Sequence, residues 1–278
     1  MMKLSFSTLG NPTKPLEEFA QQLSAAGYEG VELRGRQGAH VHWQDSPARR
    51  QEVRKLFADV GMEIVSVSSY IMAANRDARG PDKPDHRDEA GNIEELKRFV
   101  DLGSDLGARN VRIFGGRLTP GETHEDAIPR LARVMQAGAK ANPGINIALE
   151  AHDDWGTGEL LGRVLDLAAM PNAKALLDVA GPKHAGETPE TTVRHLRPER
   201  IAYLHVKDAF PMPGQQGEYE CFIGAGNWPV EETIALLKKA GWSGYLNVEW
   251  EAFYHDYMPP CEVAMVQAAQ KLRQWMAP

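Results

Sequence analysis

Residues 145–152 read Ile145-Asn146-Ile147-Ala148-Leu149-Glu150-Ala151-His152, and residues 173–179 read Ala173-Lys174-Ala175-Leu176-Leu177-Asp178-Val179. Each is an apolar run of strand length that meets a carboxylate near its end. Gly158–Ala169 lies between them and reads as a helix. Two strands separated by a helix imply parallel pairing through a right-handed crossover.

The same unit repeats in both directions. Towards the N-terminus, strands are expected at Leu4–Leu9, Gly30–Arg34, Glu63–Ser69 and Asn110–Phe114. Helices are expected at Leu16–Ala26, Pro47–Val60, Ile93–Leu106 and Glu122–Ala141, the last with a break near Pro129. Ser46 is the N-cap of the second helix, with Pro47 at its first position, and Gly27, Gly61 and Gly107 stop helices. A polar loop spans Asn75–Gly91. Towards the C-terminus come a helix from about Thr188 to Leu196, a strand Ile201–Lys207, and a long loop Asp208–Trp228. Then follow helix Val230–Ala240, strand Gly244–Glu251 and helix Val263–Trp275. Eight strand-helix units in one chain of 278 residues imply an α/β protein with a closed (β/α)8 TIM barrel, a single domain over 1–278. An open dinucleotide-binding sheet should carry a glycine-rich turn after the first strand. Thr8-Leu9-Gly10-Asn11-Pro12-Thr13-Lys14 has neither that pattern nor a P-loop.

Barrel strands alternate inward and outward residues. Val111 and Ile113 suit the helix-facing layer, so Arg112 and Phe114 point inward, as do Glu32 and Arg34. The same alternation puts Asn146, Ala148, Glu150 and His152 inside, with Tyr203, His205, Lys207, Asn247, Glu249 and Glu251. The lumen is therefore polar towards its C-terminal end, where this fold builds active sites.

Glu150, Asp178, His205 and Glu249 each follow an apolar run on four successive strands. Burying three carboxylates together costs several kcal/mol per ion unless something positive neutralises them. One divalent metal ion does so: Mn²⁺ is the first candidate, and Zn²⁺, Co²⁺, Mg²⁺ and Fe²⁺ also suit oxygen ligands with one imidazole. Such an ion, holding a hydroxyl and its neighbouring carbonyl, would acidify the C–H between them. Any one of these residues alone reads better as a strand-end polar group in an ion pair; it is the four together that point to a metal.

On these residues the chain resembles the xylose isomerase-like TIM barrels, the superfamily of sugar phosphate isomerases and epimerases and of class II apurinic endonucleases. The resemblance covers essentially the whole chain. Its carriers are Ala148-Leu149-Glu150-Ala151-His152, Leu176-Leu177-Asp178-Val179, Tyr203-Leu204-His205-Val206-Lys207-Asp208, Gly224-Ala225-Gly226-Asn227-Trp228 and Gly244-Tyr245-Leu246-Asn247-Val248-Glu249. It implies that Glu150, Asp178, His205 and Glu249 bind one metal, and that Glu150 and Glu249 serve as an acid/base pair. Two positions depart from the family pattern. Gly181 stands where a histidine often follows the strand-six aspartate, with His184 three residues on. Glu218-Tyr219-Glu220 lacks the histidine of the endonucleases, which argues against a three-zinc nuclease.

Around this set, His152 binds a substrate hydroxyl, shuttles a proton or supports the site by a hydrogen bond. Lys207 binds substrate, acts as a base, or pairs with Asp208 or Glu251. His184 is a substrate-contact candidate. Arg112 needs a carboxylate, and Glu32 is the expected partner. Arg34 and Arg36, with His40, are placed to meet an anionic group. Trp155, Trp228, Phe114 and Tyr70 are candidate pocket walls. The loop Asp208–Trp228, rich in Pro and Gly, is a candidate lid.

The expected activity is metal-dependent isomerisation or epimerisation of a small sugar, polyol or keto compound through an enediolate. A dehydratase or other lyase acting on an inosose, a dehydroshikimate or a keto-sugar is the first alternative, and a non-catalytic sugar-binding relative the second. The net charge of −7 offers no footprint for nucleic acid or anionic membrane. No stretch approaches the ~20 apolar residues of a membrane span, and no secretory leader is expected. With Cys221 and Cys261 in no pairing pattern, the expected address is the cytoplasm and the expected partner a small sugar-like molecule. A homodimer or homotetramer is expected by analogy with such barrels.

Overall fold

The computed structural model describes residues 1–76, 87–212 and 217–277. The middle of the expected polar loop (77–86) and part of the expected lid (213–216) lie outside the described residues, as does Pro278.

Ten strands and nine helices are described. The strands are β1 (Lys3–Ser7), β2 (Gly30–Arg34), β3 (Glu63–Met72), β4 (Asn110–Phe114), β5 (Asn146–Glu150), β6 (Ala173–Asp178), β7 (Ile201–Val206), β8 (Asp208–Pro211), β9 (Glu218–Cys221) and β10 (Tyr245–Val248). The helices are α1 (Leu16–Ala25), α2 (Pro47–Asp59), α3 (Glu89–Leu106), α4 (His124–Ala141), α5 (Gly158–Ala168), α6 (Ala180–His184), α7 (Pro189–Leu196), α8 (Val230–Lys239) and α9 (Cys261–Met276). Eight strands close into a parallel barrel in the order β1-β10-β7-β6-β5-β4-β3-β2, as the strand-helix alternation requires. Among the described residues no helix is long and apolar enough to cross a membrane.

The local signals explain most boundaries. Ser46 caps α2 by accepting from the Arg49 amide at 3.2 Å. Gly107 ends α3 in the left-handed region at φ +72°. Four expectations need correction. First, α3 begins four residues before Ile93, because Asp88 caps it by accepting from Gly91 N at 2.8 Å. Secondly, α4 runs through Pro129 unbroken. The proline lies in its second turn and removes only the bond to the Glu125 carbonyl, while Thr123 and Asp126 close a capping box. Thirdly, β1 ends at Ser7 and passes into a 3-10 turn, Thr8–Gly10. Finally, the loop after β7 folds back on itself as the antiparallel hairpin β8–β9.

Two cores result. The larger lies between sheet and helices. The smaller, Val65, Ala148, Leu176, Tyr203 and Tyr245, fills the lumen. It lies below the polar C-terminal mouth.

Candidate metal centre

Two residues above that apolar floor, β5, β6 and β7 carry Glu150, Asp178 and His205, and the end of β10 adds Glu249. All four are buried. One ligand atom from each lies within 4.8 Å of the others, a span that a single ion with bonds of about 2.0–2.5 Å can bridge.

The hydrogen bonds around the cluster leave two of its centre-facing atoms, His205 Nδ1 and Asp178 Oδ2, unused. His205 Nε2 lies 3.0 Å from Glu32 Oε2. A proton on Nε2 leaves Nδ1 with a lone pair, which faces Glu150 Oε1 at 3.3 Å and Glu249 Oε2 at 3.2 Å. Nδ1 has no hydrogen-bond partner, nor has Asp178 Oδ2, although Lys207 Nζ stands 3.0 Å from that oxygen. Asp178 Oδ1 accepts from Ala180 N at 2.8 Å, which fixes the carboxylate plane. Buried polar atoms without partners are costly. Here two of them converge, where one cation would satisfy both.

The charge count agrees. Glu32, Glu150, Asp178 and Glu249 are four buried carboxylates, and Arg112 and Lys207 are the two buried cations paired among them. Two negative charges remain with His205 neutral, and a divalent ion cancels them. Without that ion the imidazole must take up charge. Burial alone would lower the His205 pKa, but Glu249, Glu32 and Glu150 outweigh burial and raise it well above its usual value. Burial pushes Glu150 up; Arg112 and His205 prevail and hold it near 2. Glu249 is likewise held well below the usual carboxylate range, by His205 and Lys207 against burial. For Asp178 burial wins over Lys207, and its carboxyl is raised.

Arg112 does not pair with Glu32, contrary to the expectation from facing. Its Nη1 donates to Glu150 Oε2 at 2.8 Å and its Nη2 to the Ser69 carbonyl at 3.0 Å. Glu32 sits one inward layer lower, level with Ser66 where Arg112 is level with Ser68. There it accepts from the Tyr203 hydroxyl at 2.7 Å and orients His205. This supporting role for Glu32 was not legible in the sequence, which placed it inside the barrel without fixing its height.

Beside the cluster a cavity of about 420 Å³ is lined by His152, Asp178, Gly181, His184, Lys207, Glu220, Trp228 and Glu251. Lys207 joins Glu249 and Glu251, each at 2.7 Å. It does not pair with Asp208, whose carboxylate accepts from the amides of Ala209, Gly224, Gly226 and Trp228. That cradle leaves no space for a side chain at Gly226, since a Cβ there would lie 2.2 Å from Asp208 Oδ1. His152 faces Asp153 Oδ2 at 3.2 Å and packs on Phe114. Burial would lower its pKa, but Asp153 and Glu150 raise it to about 9. His184 is bonded to Glu218 at 2.7 Å and stands edge-on to Trp228. Among the described residues it is not in the ligand group. Nor does the fold accommodate a histidine at 181, because a Cβ there would lie 2.1 Å from the Ala151 carbonyl.

Trp155 is not a wall of this cavity. It is fully buried, covers Gly115 and meets His124 edge-on. Arg34 lies on the opposite side of the mouth, where its Nε donates to the Tyr70 hydroxyl at 2.7 Å. His40 faces the Lys14 carbonyl at 2.9 Å. Glu220, unremarked in the sequence except as a missing histidine, reaches the rim, where burial and Glu251 push it up to about 8. It groups there with Glu251 and His255. A larger apolar groove of about 780 Å³, lined by Met2, Leu4, Trp242 and Met276, lies at the other end of the barrel from the cluster.

The profile of the xylose isomerase-like TIM barrel family matches residues 20–277. The chain belongs to that family. No curated protein matches it in sequence. Solved structures agree on the fold at low identity. The IOLI protein with a bound zinc atom has a TM-score of 0.74 at 17% identity, covering 99% of this chain and 98% of its own. D-psicose 3-epimerase, solved in the presence of D-fructose, has a TM-score of 0.74 at 13% identity, covering 98% of both chains. The probable 3-DHS dehydratase AsbF from Bacillus anthracis has 0.70 at 19% identity, covering 98% of this chain and 99% of that one. The chain also spans 45% of a longer protein that fuses a xylose isomerase-like TIM barrel to a 4-hydroxyphenylpyruvate dioxygenase, at 20% identity and a TM-score of 0.73.

Proposed function

We propose that this protein is a metal-dependent isomerase or epimerase of a small sugar-like keto compound. The observation that carries the reading is the convergence of His205 Nδ1 and Asp178 Oδ2, neither of which makes a hydrogen bond, with Glu150 and Glu249 at the C-terminal mouth. A divalent cation held by these four residues supplies a Lewis acid for a substrate carbonyl and its neighbouring hydroxyl. Glu150 and Glu249 are kept ionised by Arg112, His205 and Lys207. One takes the proton from the carbon beside the carbonyl, and the other returns one to it. Lys207 and Arg112 hold these carboxylates in place, and the cavity beside them limits the substrate to a small molecule.

A second reading, a dehydratase on the same residues, is favoured by His152. Its pKa is raised to about 9 at the cavity wall. From there it can reach a departing hydroxyl and protonate it. The two readings share the first proton abstraction. Turnover of a keto-sugar panel in deuterated water, followed by NMR, separates them. Solvent deuterium at the carbon next to the carbonyl with the skeleton intact supports isomerisation, and loss of water supports the lyase. Absence of exchange across the panel in manganese-loaded protein rejects both.

A further inference from the structure

A buried guanidinium needs an anionic partner, because desolvating its charge is costly. Arg112 has Glu150, and Arg130 has Glu122. Arg34 is only 8% exposed at the end of β2, yet among the described residues no carboxylate pairs with it. Its Nε donates to the Tyr70 hydroxyl at 2.7 Å, and neither Nη has a hydrogen-bond acceptor among those residues. Aromatic rings hold it instead. Its guanidinium carbon lies 5.2 Å from the Tyr70 ring centroid and 5.5 Å from that of Phe253. The Arg112 guanidinium lies 5.4 Å from the same Tyr70 ring, so a single side chain separates Arg34 from the arginine that grips Glu150. Arg34 and Tyr70 also line a cavity of about 450 Å³ on the β2–β3 side of the mouth.

We propose that Arg34 binds an anionic group of the substrate, a carboxylate or a phosphate, so that the enzyme acts on sugar acids or sugar phosphates in preference to neutral sugars. This deepens the isomerase reading and rests on it. A guanidinium with its Nε fixed and its plane packed against aromatic rings has lost its rotamer freedom before the ligand arrives. Its two Nη groups form the fork that carboxylate and phosphate oxygens accept. The charged end of the substrate is thereby held on the β2–β3 side of the mouth, and the uncharged reacting end is left to Glu150 and Glu249.

The test uses manganese-loaded full-length protein and matched substrates: a ketohexose, its 6-phosphate and the corresponding keto-uronate, each followed by solvent deuterium exchange. The wild type is expected to show a KM about 100-fold lower for one charged member than for the neutral sugar. Which member gains distinguishes phosphate from carboxylate. Arg34→Met raises that KM by about the same factor and the neutral sugar's far less, with a smaller change in kcat. Arg34→Lys recovers part of the loss, since an ammonium keeps the charge without the fork. Tyr70→Phe, which removes the hydroxyl under Nε, moves the same KM in the same direction. Equal KM values for charged and neutral members in the wild type, or an Arg34→Met effect equal on all three, overturn the proposal. If no member exchanges, the isomerase reading fails separately, and calorimetry with inorganic phosphate and malonate still decides on Arg34. Binding by the wild type that is lost in Arg34→Met supports the site, and binding by neither protein overturns it.

Discussion

The lumen of this barrel has two layers, built by the same strands and governed by opposite energetics. Ala148, Leu176 and Tyr203 form much of the floor, with Val65 and Tyr245. Glu150, Asp178 and His205 follow two residues later on the same strands, with Glu249 beside them. Burial of the floor stabilises the fold by removing apolar surface from water. Burial of the upper layer opposes folding, because its carboxylates outnumber the cations paired with them. A polar layer of this kind makes sense through what it binds.

The largest effect should come from the upper layer and fall on turnover. Glu150→Gln and Glu249→Gln are each expected to slow proton exchange by about 10³-fold or more, since each removes a base and a ligand. Exchange at wild-type rate in either variant would break the contrast. Leu176→Ala in the floor should do the reverse. It should cost about 2–5 kcal/mol of stability by denaturant titration while the folded protein keeps the wild-type metal stoichiometry. Glu32→Gln sharpens the comparison from below, because among the described residues Glu32 bonds His205 but no carboxylate of the cluster. It should weaken divalent-metal affinity by about 10–100-fold without abolishing binding, as read by competition with a chelator. A smaller effect concerns pH. His205 is raised well above its usual pKa by Glu249, Glu32 and Glu150, against the opposing effect of burial. The metal-free protein therefore holds a proton on His205 at neutral pH, and cation binding expels it. Affinity should fall as pH falls through the neutral range, by up to about tenfold per unit. Titration in weakly buffered solution should show the released proton.

The barrel and the meeting of Glu150, Asp178, His205 and Glu249 were legible because both rest on period and position. Apolar runs separated by helices give the strands, and alternation along β5, β6, β7 and β10 sends Glu150, Asp178, His205 and Glu249 inwards. Pairing across the lumen was not legible. It depends on stagger between strands, which sequence spacing does not carry. Thus Arg112 was assigned to Glu32, although the register puts it one inward layer above Glu32 and opposite Ala148, from where its side chain reaches Glu150. Loops hid more. Asp208, read as a partner for Lys207, instead anchors the Gly224–Trp228 turn through three of its backbone amides. The close approach of α6 to β5 at Gly181, which leaves no space for a histidine, depends on tertiary contact alone.

The most direct test is an anomalous-difference map from crystals grown with Mn²⁺. The account predicts one strong peak per chain, enclosed by His205 Nδ1 and carboxylate oxygens of Glu150, Asp178 and Glu249. A map with no peak there, while Lys207 and Arg112 still pair with those carboxylates, would contradict it.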